Sequence, residues 1–238
     1  MKSVGFLLIH GAGLGAWAWD RVTPLLKYPA LAVDLPMRGD PNKAMSALKL
    51  EDYVQAVVDA AAAFPVEKIV LVGHSIGGEI ALRVATRMPE RVAGIVFVSA
   101  VIPQPGKAMV SIRPWLERFF MHLTARFGAL KPPPKVVRTR AANDLDEETI
   151  SLVLKKYSPE SPRIFLDKAE WSLPESLPRW YVKTLNDRSV PPLLQDTLLA
   201  RVLPSRAPTI VSGHYPMLAK PAELATILND FILHYALA

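Results

Sequence analysis

Gly73-His74-Ser75-Ile76-Gly77 has the form G-x-S-x-G, and Gly78 follows it. The apolar run 69–72 precedes this pentapeptide and a helix-patterned run, 76–88, comes after it. A strand, a very tight turn and a helix form the setting in which a serine hydroxyl is pushed out toward a substrate. Small glycines allow so sharp a turn. The same five residues would also suit a serine that only caps a helix, so the remaining parts of a nucleophilic site have to be found elsewhere in the chain.

A serine hydroxyl needs a base to take its proton and an acid to orient that base. Of the five histidines, His10 ends the first strand-like run, His74 lies inside the pentapeptide, His122 falls in an insertion and His234 in the last helical run. His214 stands in Val211-Ser212-Gly213-His214-Tyr215-Pro216, after the last strand-like run and before the last helix. A loop there opens at the same sheet edge as Ser75, so His214 is the expected base. Asp187 runs straight off the run 180–184 and is the expected acid. The stretch after 95–98, Ser99-Ala100-Val101-Ile102, holds no carboxylate to compete with it.

Acyl chemistry also needs donors for a developing alkoxide. After the first strand comes His10-Gly11-Ala12-Gly13-Leu14-Gly15-Ala16-Trp17. The N–H of Ala12, with the N–H of Ile76 at the helix start, is the expected oxyanion hole; losing one such donor costs about 3 kcal/mol of transition-state stabilisation. Gly11, Trp17 and His74, which flank these donors, are candidate substrate contacts. The run lacks the G-K-[ST] ending of a phosphate loop, and Ala16 stands where G-x-G-x-x-G needs its last glycine. Asp34 reads as a turn carboxylate that braces the neighbouring loop.

These residues need a scaffold that brings loops together at one edge. Strand-like runs at Val4–Ile9, Ala30–Val33, 69–72, 95–98, 180–184 and 209–211 alternate with helical patterns at 16–26, Leu50–Ala63, 76–88, 193–203 and 222–235. Alternation of this kind argues for βαβ units and a parallel sheet. Most of the strand runs are continuously apolar, as expected when helices cover both faces. The expected fold is α/β: a mostly parallel, doubly wound sheet of about six strands flanked by helices. About 80 residues separate Ser99 from Trp180, too many for one crossover. This proline-rich stretch, with helical patches at 115–130 and 146–157, reads as a helical cap over the C-terminal sheet edge, where ligands bind in open α/β sheets. The division is a core of 1–102 and 177–238 with a cap at 103–176. Trp17 and the cap aromatics Trp115, Phe119, Phe120, Phe127 and Trp171 are expected pocket walls.

The chain has 238 residues, half of them hydrophobic, and a net charge of +6. It contains no cysteine, which excludes disulfides, thiolate metal sites and a cysteine nucleophile. No apolar run approaches the ~20 residues of a membrane span, and the N-terminal run lacks a signal-type cleavage site; a cytoplasmic protein is expected. Residues 107–140 hold eight basic residues against the single acid Glu117. The segment reads as a solvated face rather than a nucleic-acid patch, and a rim that attracts anionic substrates is a further reading.

Ile9-His10-Gly11-Ala12, Gly15-Ala16-Trp17, Asp34-Leu35-Pro36, Gly73-His74-Ser75, Asp187 and His214 together resemble the α/β-hydrolase superfamily. The likeness is closest to the small branch of plant methylesterases and hydroxynitrile lyases. The order Ser75, Asp187, His214 is the triad order of that superfamily. The resemblance implies a shortened sheet that starts at the His10 strand, and a helical cap that shapes the pocket. It also carries departures. The lyases have a threonine after the first-strand histidine and a lysine after the catalytic histidine; here those positions are Gly11 and Tyr215. Esterases of the branch have methionine where Tyr215 stands. Ser75 in place of aspartate argues against the dehalogenase and epoxide-hydrolase relatives.

The expected activity is therefore cofactor-free serine hydrolysis of carboxylic esters of small apolar or aryl substrates. A lactonase, a thioesterase or a hydroxynitrile lyase are alternatives on the same scaffold. A ligand receptor with slow hydrolysis and a cofactor-free dioxygenase are alternatives of other classes. The expected partner is a small-molecule ester, with no metal, nucleic acid or membrane. Homodimer pairing through cap aromatics is left open.

Overall fold

A computed structural model describes residues 3–37, 47–112, 114–125 and 128–235, without the side chains of 116, 117, 120 and 124. Strands β1 (Val4–Ile9), β2 (Ala30–Val33), β3 (Lys68–His74) and β4 (Val92–Val98) alternate with helices α1 (Leu50–Ala63) and α2 (Gly77–Arg87). An inserted segment follows, with β5 (Lys107–Ala108), α3 (Trp115–Thr124), α4 (Pro134–Val136), α5 (Glu147–Lys156), α6 (Arg163–Leu166) and β6 (Lys168–Ala169). The chain then returns through β7 (Arg179–Thr184), α7 (Pro192–Leu199), β8 (Thr209–Ile210), α8 (Pro216–Ala219) and α9 (Pro221–His234).

The main sheet has six strands in the order β2-β1-β3-β4-β7-β8, and every pairing in it is parallel. All the strand C-termini therefore lie on one edge. β1 is buried along its whole length and its side chains alternate between two cores. Leu7 and Ile9 pack with α1 and α2 on one face, while Phe6 and Leu8 pack with α9 on the other. Burying each of these side chains stabilises the fold by about 2 kcal/mol. A strand covered on both faces is continuously apolar for this reason.

α1 buries Leu50, Tyr53, Val54, Val57 and Ala61, one stripe of a 3.6-residue period. Glu51 and Asp52 sit in its first turn, where acids favour the helix dipole, and the Asp52 carboxylate accepts the Lys49 N–H at 2.7 Å.

Two sequence expectations are corrected. The run 16–26 forms two short 3₁₀ turns, Ala16–Trp19 and Thr23–Leu25, because Pro24 has no N–H to carry a continuous helix through it. The patch 115–130 stops as a helix at Thr124, and Gly128 has φ +107°. The inserted segment also contains a small antiparallel ladder, β5 with β6, which no periodicity signalled. Among the described residues, no helix is long and apolar enough to cross a membrane.

Candidate active site

Four loops leave the C-terminal sheet edge and converge. Ser75 follows β3 directly, with φ +53°. That left-handed conformation is unfavourable for a residue with a Cβ, and the neighbours enforce it. Ser75 N–H donates to Val98 O (3.1 Å), while Ser75 O accepts from Val101 N (2.8 Å) and Gly78 N (3.1 Å). Asp187 leaves β7 three residues after its end, and His214 leaves β8 four residues after its end.

The structure brings these three side chains into one hydrogen-bonded row. His214 Nδ1–H donates to Asp187 Oδ2 at 2.7 Å, and His214 Nε2 lies 3.0 Å from Ser75 Oγ. All three are buried. A carboxylate on Nδ1 leaves Nε2 as the nitrogen able to accept the serine proton. Burial pushes the Asp187 carboxyl upward, but His214 and the N–H groups of Val190 and Ser189 outweigh it and hold the group below the usual carboxylate range. Asp187 Oδ1 accepts from Ser189 N (2.7 Å) and Val190 N (2.8 Å), and Oδ2 also accepts the Thr184 hydroxyl at 3.1 Å. Gln195 Nε2 and Ser99 Oγ in turn hold the Thr184 hydroxyl. This bracing had no sequence signal.

His74 Nε2–H donates to the His214 carbonyl at 2.8 Å and so ties the base loop to the end of β3. Burial, then the like charge of His214, lowers the His74 pKa well below the usual imidazole value. His74 is thus a neutral ring lining the cavity wall. His10 Nδ1 donates to Gly11 O and its Nε2 accepts Leu35 N–H at 3.1 Å, joining the loops after β1 and β2. Asp34 accepts the Ala16 N–H at 2.7 Å and braces the same loop. Gly11 lies against His74 and Ser75; a Cβ there would come within 2.9 Å of the Ser75 Cβ.

Ala12 and Ile76 both face the cavity beside Ser75. Among the described residues neither backbone N–H has an acceptor, so both are available to a ligand oxygen. The loop holding Ala12 is gripped by the inserted segment. Glu160 Oε1 accepts Gly13 N–H at 2.8 Å and Ser158 N–H donates to Gly13 O at 2.9 Å. Gly13 has φ +76°, and a Cβ there would sit 2.0 Å from the Tyr157 ring. The same segment reaches the other loops, since Asp144 accepts Gly213 N–H and Asn143 donates to Asn186 O.

The cavity above Ser75 has a volume of about 490 Å³, within the range of small-molecule sites. Its wall is mostly aliphatic, with Val101, Met109, Val110, Ile112, Val137 and Val190 among the lining residues. The expected aromatic walls are corrected. Trp115 is 75% exposed and Phe119 58% exposed, on the outer side of α3. Trp171 donates its indole N–H to Pro103 O and packs into the core. Trp17 lies outside the cavity, packed in the second core with Lys156 over its ring. The Phe120 side chain and Phe127 lie outside the described residues, as do Arg113 and Arg126 of the basic segment. The aromatic side chains that line the cavity are instead Tyr157, Phe165 and Tyr215, the last 5.6 Å from His214 between centroids. No group of three metal-ligating side chains occurs among the described residues.

This sheet, this row of side chains and this inserted segment define an α/β-hydrolase. The chain belongs to the alpha/beta hydrolase family, whose model matches residues 6–227. Within it the chain falls in the plant methylesterase branch. It is 31% identical to "Probable esterase PIR7A" of Oryza sativa over 97% of both chains. It is 28% identical to Methylesterase 17 of Arabidopsis thaliana, over 95% of this chain and 91% of that one. An extracellular alpha/beta-hydrolase from a Paenibacillus species superposes with a TM-score of 0.86 at 20% identity, covering 95% of this chain and 98% of the other.

Proposed function

We propose that the protein is a carboxylic ester hydrolase that works through an acyl-enzyme on Ser75, with no cofactor in the reaction. His214 Nε2 takes the Ser75 proton as Oγ attacks the ester carbonyl. The N–H groups of Ala12 and Ile76 hold the resulting oxyanion; the second lies at the start of α2, where the helix dipole favours negative charge. His214 then gives its proton to the leaving alcohol, and water deacylates the enzyme through the same base. Asp187 fixes the imidazole tautomer and stabilises its positive charge.

The observation that carries this reading is the continuous hydrogen-bonded row Asp187–His214–Ser75 opening on an apolar cavity. The esterase and methylesterase relatives support the reaction class. The aliphatic wall favours a substrate with a small apolar or aryl body. A lyase reading loses support at Tyr215. Burial raises its hydroxyl pKa well above the usual phenol value, so it stays neutral where the lyases carry a cation.

The test is hydrolysis of p-nitrophenyl esters of graded acyl length by the wild type and by Ser75→Ala. Turnover in the wild type and none in the variant is expected. Equal turnover by both would overturn the mechanism.

A further inference from the structure

Two cations, Lys131 and Arg140, line the mostly apolar cavity while remaining exposed to solvent at its mouth. Both leave anchored backbone. Lys131 follows Leu130, which exchanges two backbone hydrogen bonds with Glu160, at 2.7 and 2.9 Å. Arg140 lies in the π-helical turn Val137–Ala141. Val137, Arg140 and Ala141, spaced i, i+3 and i+4, share one face of this turn and line the cavity together; π turns of this kind recur at functional sites. Arg138, two residues earlier, does not line the cavity, and Glu147 neutralises it.

No acid pairs with Lys131 or Arg140 among the described residues. Among the described residues the one acid on the cavity wall is Glu160, 2% exposed, whose oxygens receive the Gly13 N–H and the Tyr53 hydroxyl. Asp187 lies behind His214 and does not reach the wall. Among the described residues the cavity therefore carries a positive field at Lys131 and Arg140 that no acid on its wall is placed to match. Low-dielectric walls concentrate such a field.

We propose that Lys131 and Arg140 form an anion subsite, and that the substrate is an ester with a carboxylate or phosphate-type group at the far end of an apolar body. The apolar body would fill the aliphatic wall and the ester would meet Ser75. The anion would pair with the guanidinium fork and the ammonium. This deepens the serine-hydrolase reading of the same cavity and rests on it.

The experiment compares monomethyl adipate, dimethyl adipate and methyl 6-phosphonohexanoate, followed by pH-stat at low salt. The proteins are the wild type, the double variant Lys131→Gln/Arg140→Gln, and Arg138→Gln. The remote anion changes ester reactivity little, so the ratio of kcat/KM for an anionic over the neutral ester reports the subsite. In the wild type the ratio is expected to be about tenfold, the scale of a charge-assisted contact. It should fall toward one in the double variant, through KM, and shrink in high salt. Arg138→Gln should leave it unchanged. The better of the two anionic esters identifies the headgroup. A ratio of one or less in the wild type, an unchanged ratio in the double variant, or an equal fall in Arg138→Gln would overturn the subsite. Hydrolysis of p-nitrophenyl butyrate by the wild type separates the two claims. Turnover of it without anion preference sinks the subsite alone, and no turnover of any ester sinks the hydrolase reading with it.

Discussion

Glu160 reaches across 147 positions of sequence to accept the Gly13 N–H at 2.8 Å, one residue beyond the Ala12 donor. The inserted segment thereby sets the geometry of the loop after β1. Ser158 adds a second bond to the same peptide, so the loop is held from both its N–H and its carbonyl.

Glu160→Ala should loosen this loop and lower kcat by about tenfold to a hundredfold, the size of a partly lost oxyanion donor, with little change in KM. Glu160→Gln keeps an acceptor and should recover most of kcat. Steady-state kinetics on one p-nitrophenyl ester checks this. A Glu160→Ala enzyme with normal kcat and only a lower melting temperature would reduce Glu160 to a packing role.

Ser75 sits at φ +53° because the elbow demands it, and a residue with a Cβ stores about 1–2 kcal/mol there. Ser75→Gly should abolish turnover yet raise the thermal midpoint, by about 2 °C for a domain of this size. Ser75→Ala keeps the strain and should raise it less. Melting curves of the three proteins decide; a midpoint for Ser75→Gly at or below the wild type would show that the turn is not strained.

Glu79, on α2, is wholly buried, and among the described residues neither carboxyl oxygen has a hydrogen-bond partner. Burial raises its pKa from 4.5 to about 8 despite Arg83. The folded state then binds a proton that the unfolded chain releases between those values. Stability from this group is full below pH 4.5 and falls as pH rises through about 8, by about 1.4 kcal/mol per unit within the window. Urea midpoints of wild type and Glu79→Gln across pH 5 to 9 should diverge, with the wild type losing ground as pH rises. Parallel curves would contradict the assignment.

The sheet was legible where local chemistry decides structure. β1, β2 and α1 begin and end where the apolar runs and the helical period place them. Ser75, Asp187 and His214 could be named because each stands at a strand end and parallel strands share one edge. The inserted segment was far less legible. Trp115 and Phe119 look like core or pocket residues by type, yet they face outward. The period at 16–26 hid the effect of Pro24. Glu160, Thr184 and Gln195 act through partners that have no local signature, and in the case of Glu160 the partner is 147 positions away. Pairing over such distances depends on the packed fold.

The most direct test of the central claim is labelling with a fluorophosphonate, followed by peptide mass spectrometry. A single adduct on Ser75 is expected, formed far more slowly in His214→Ala because the hydroxyl then lacks its base. No adduct, or an adduct elsewhere with Ser75 untouched, would contradict a nucleophilic serine at this site.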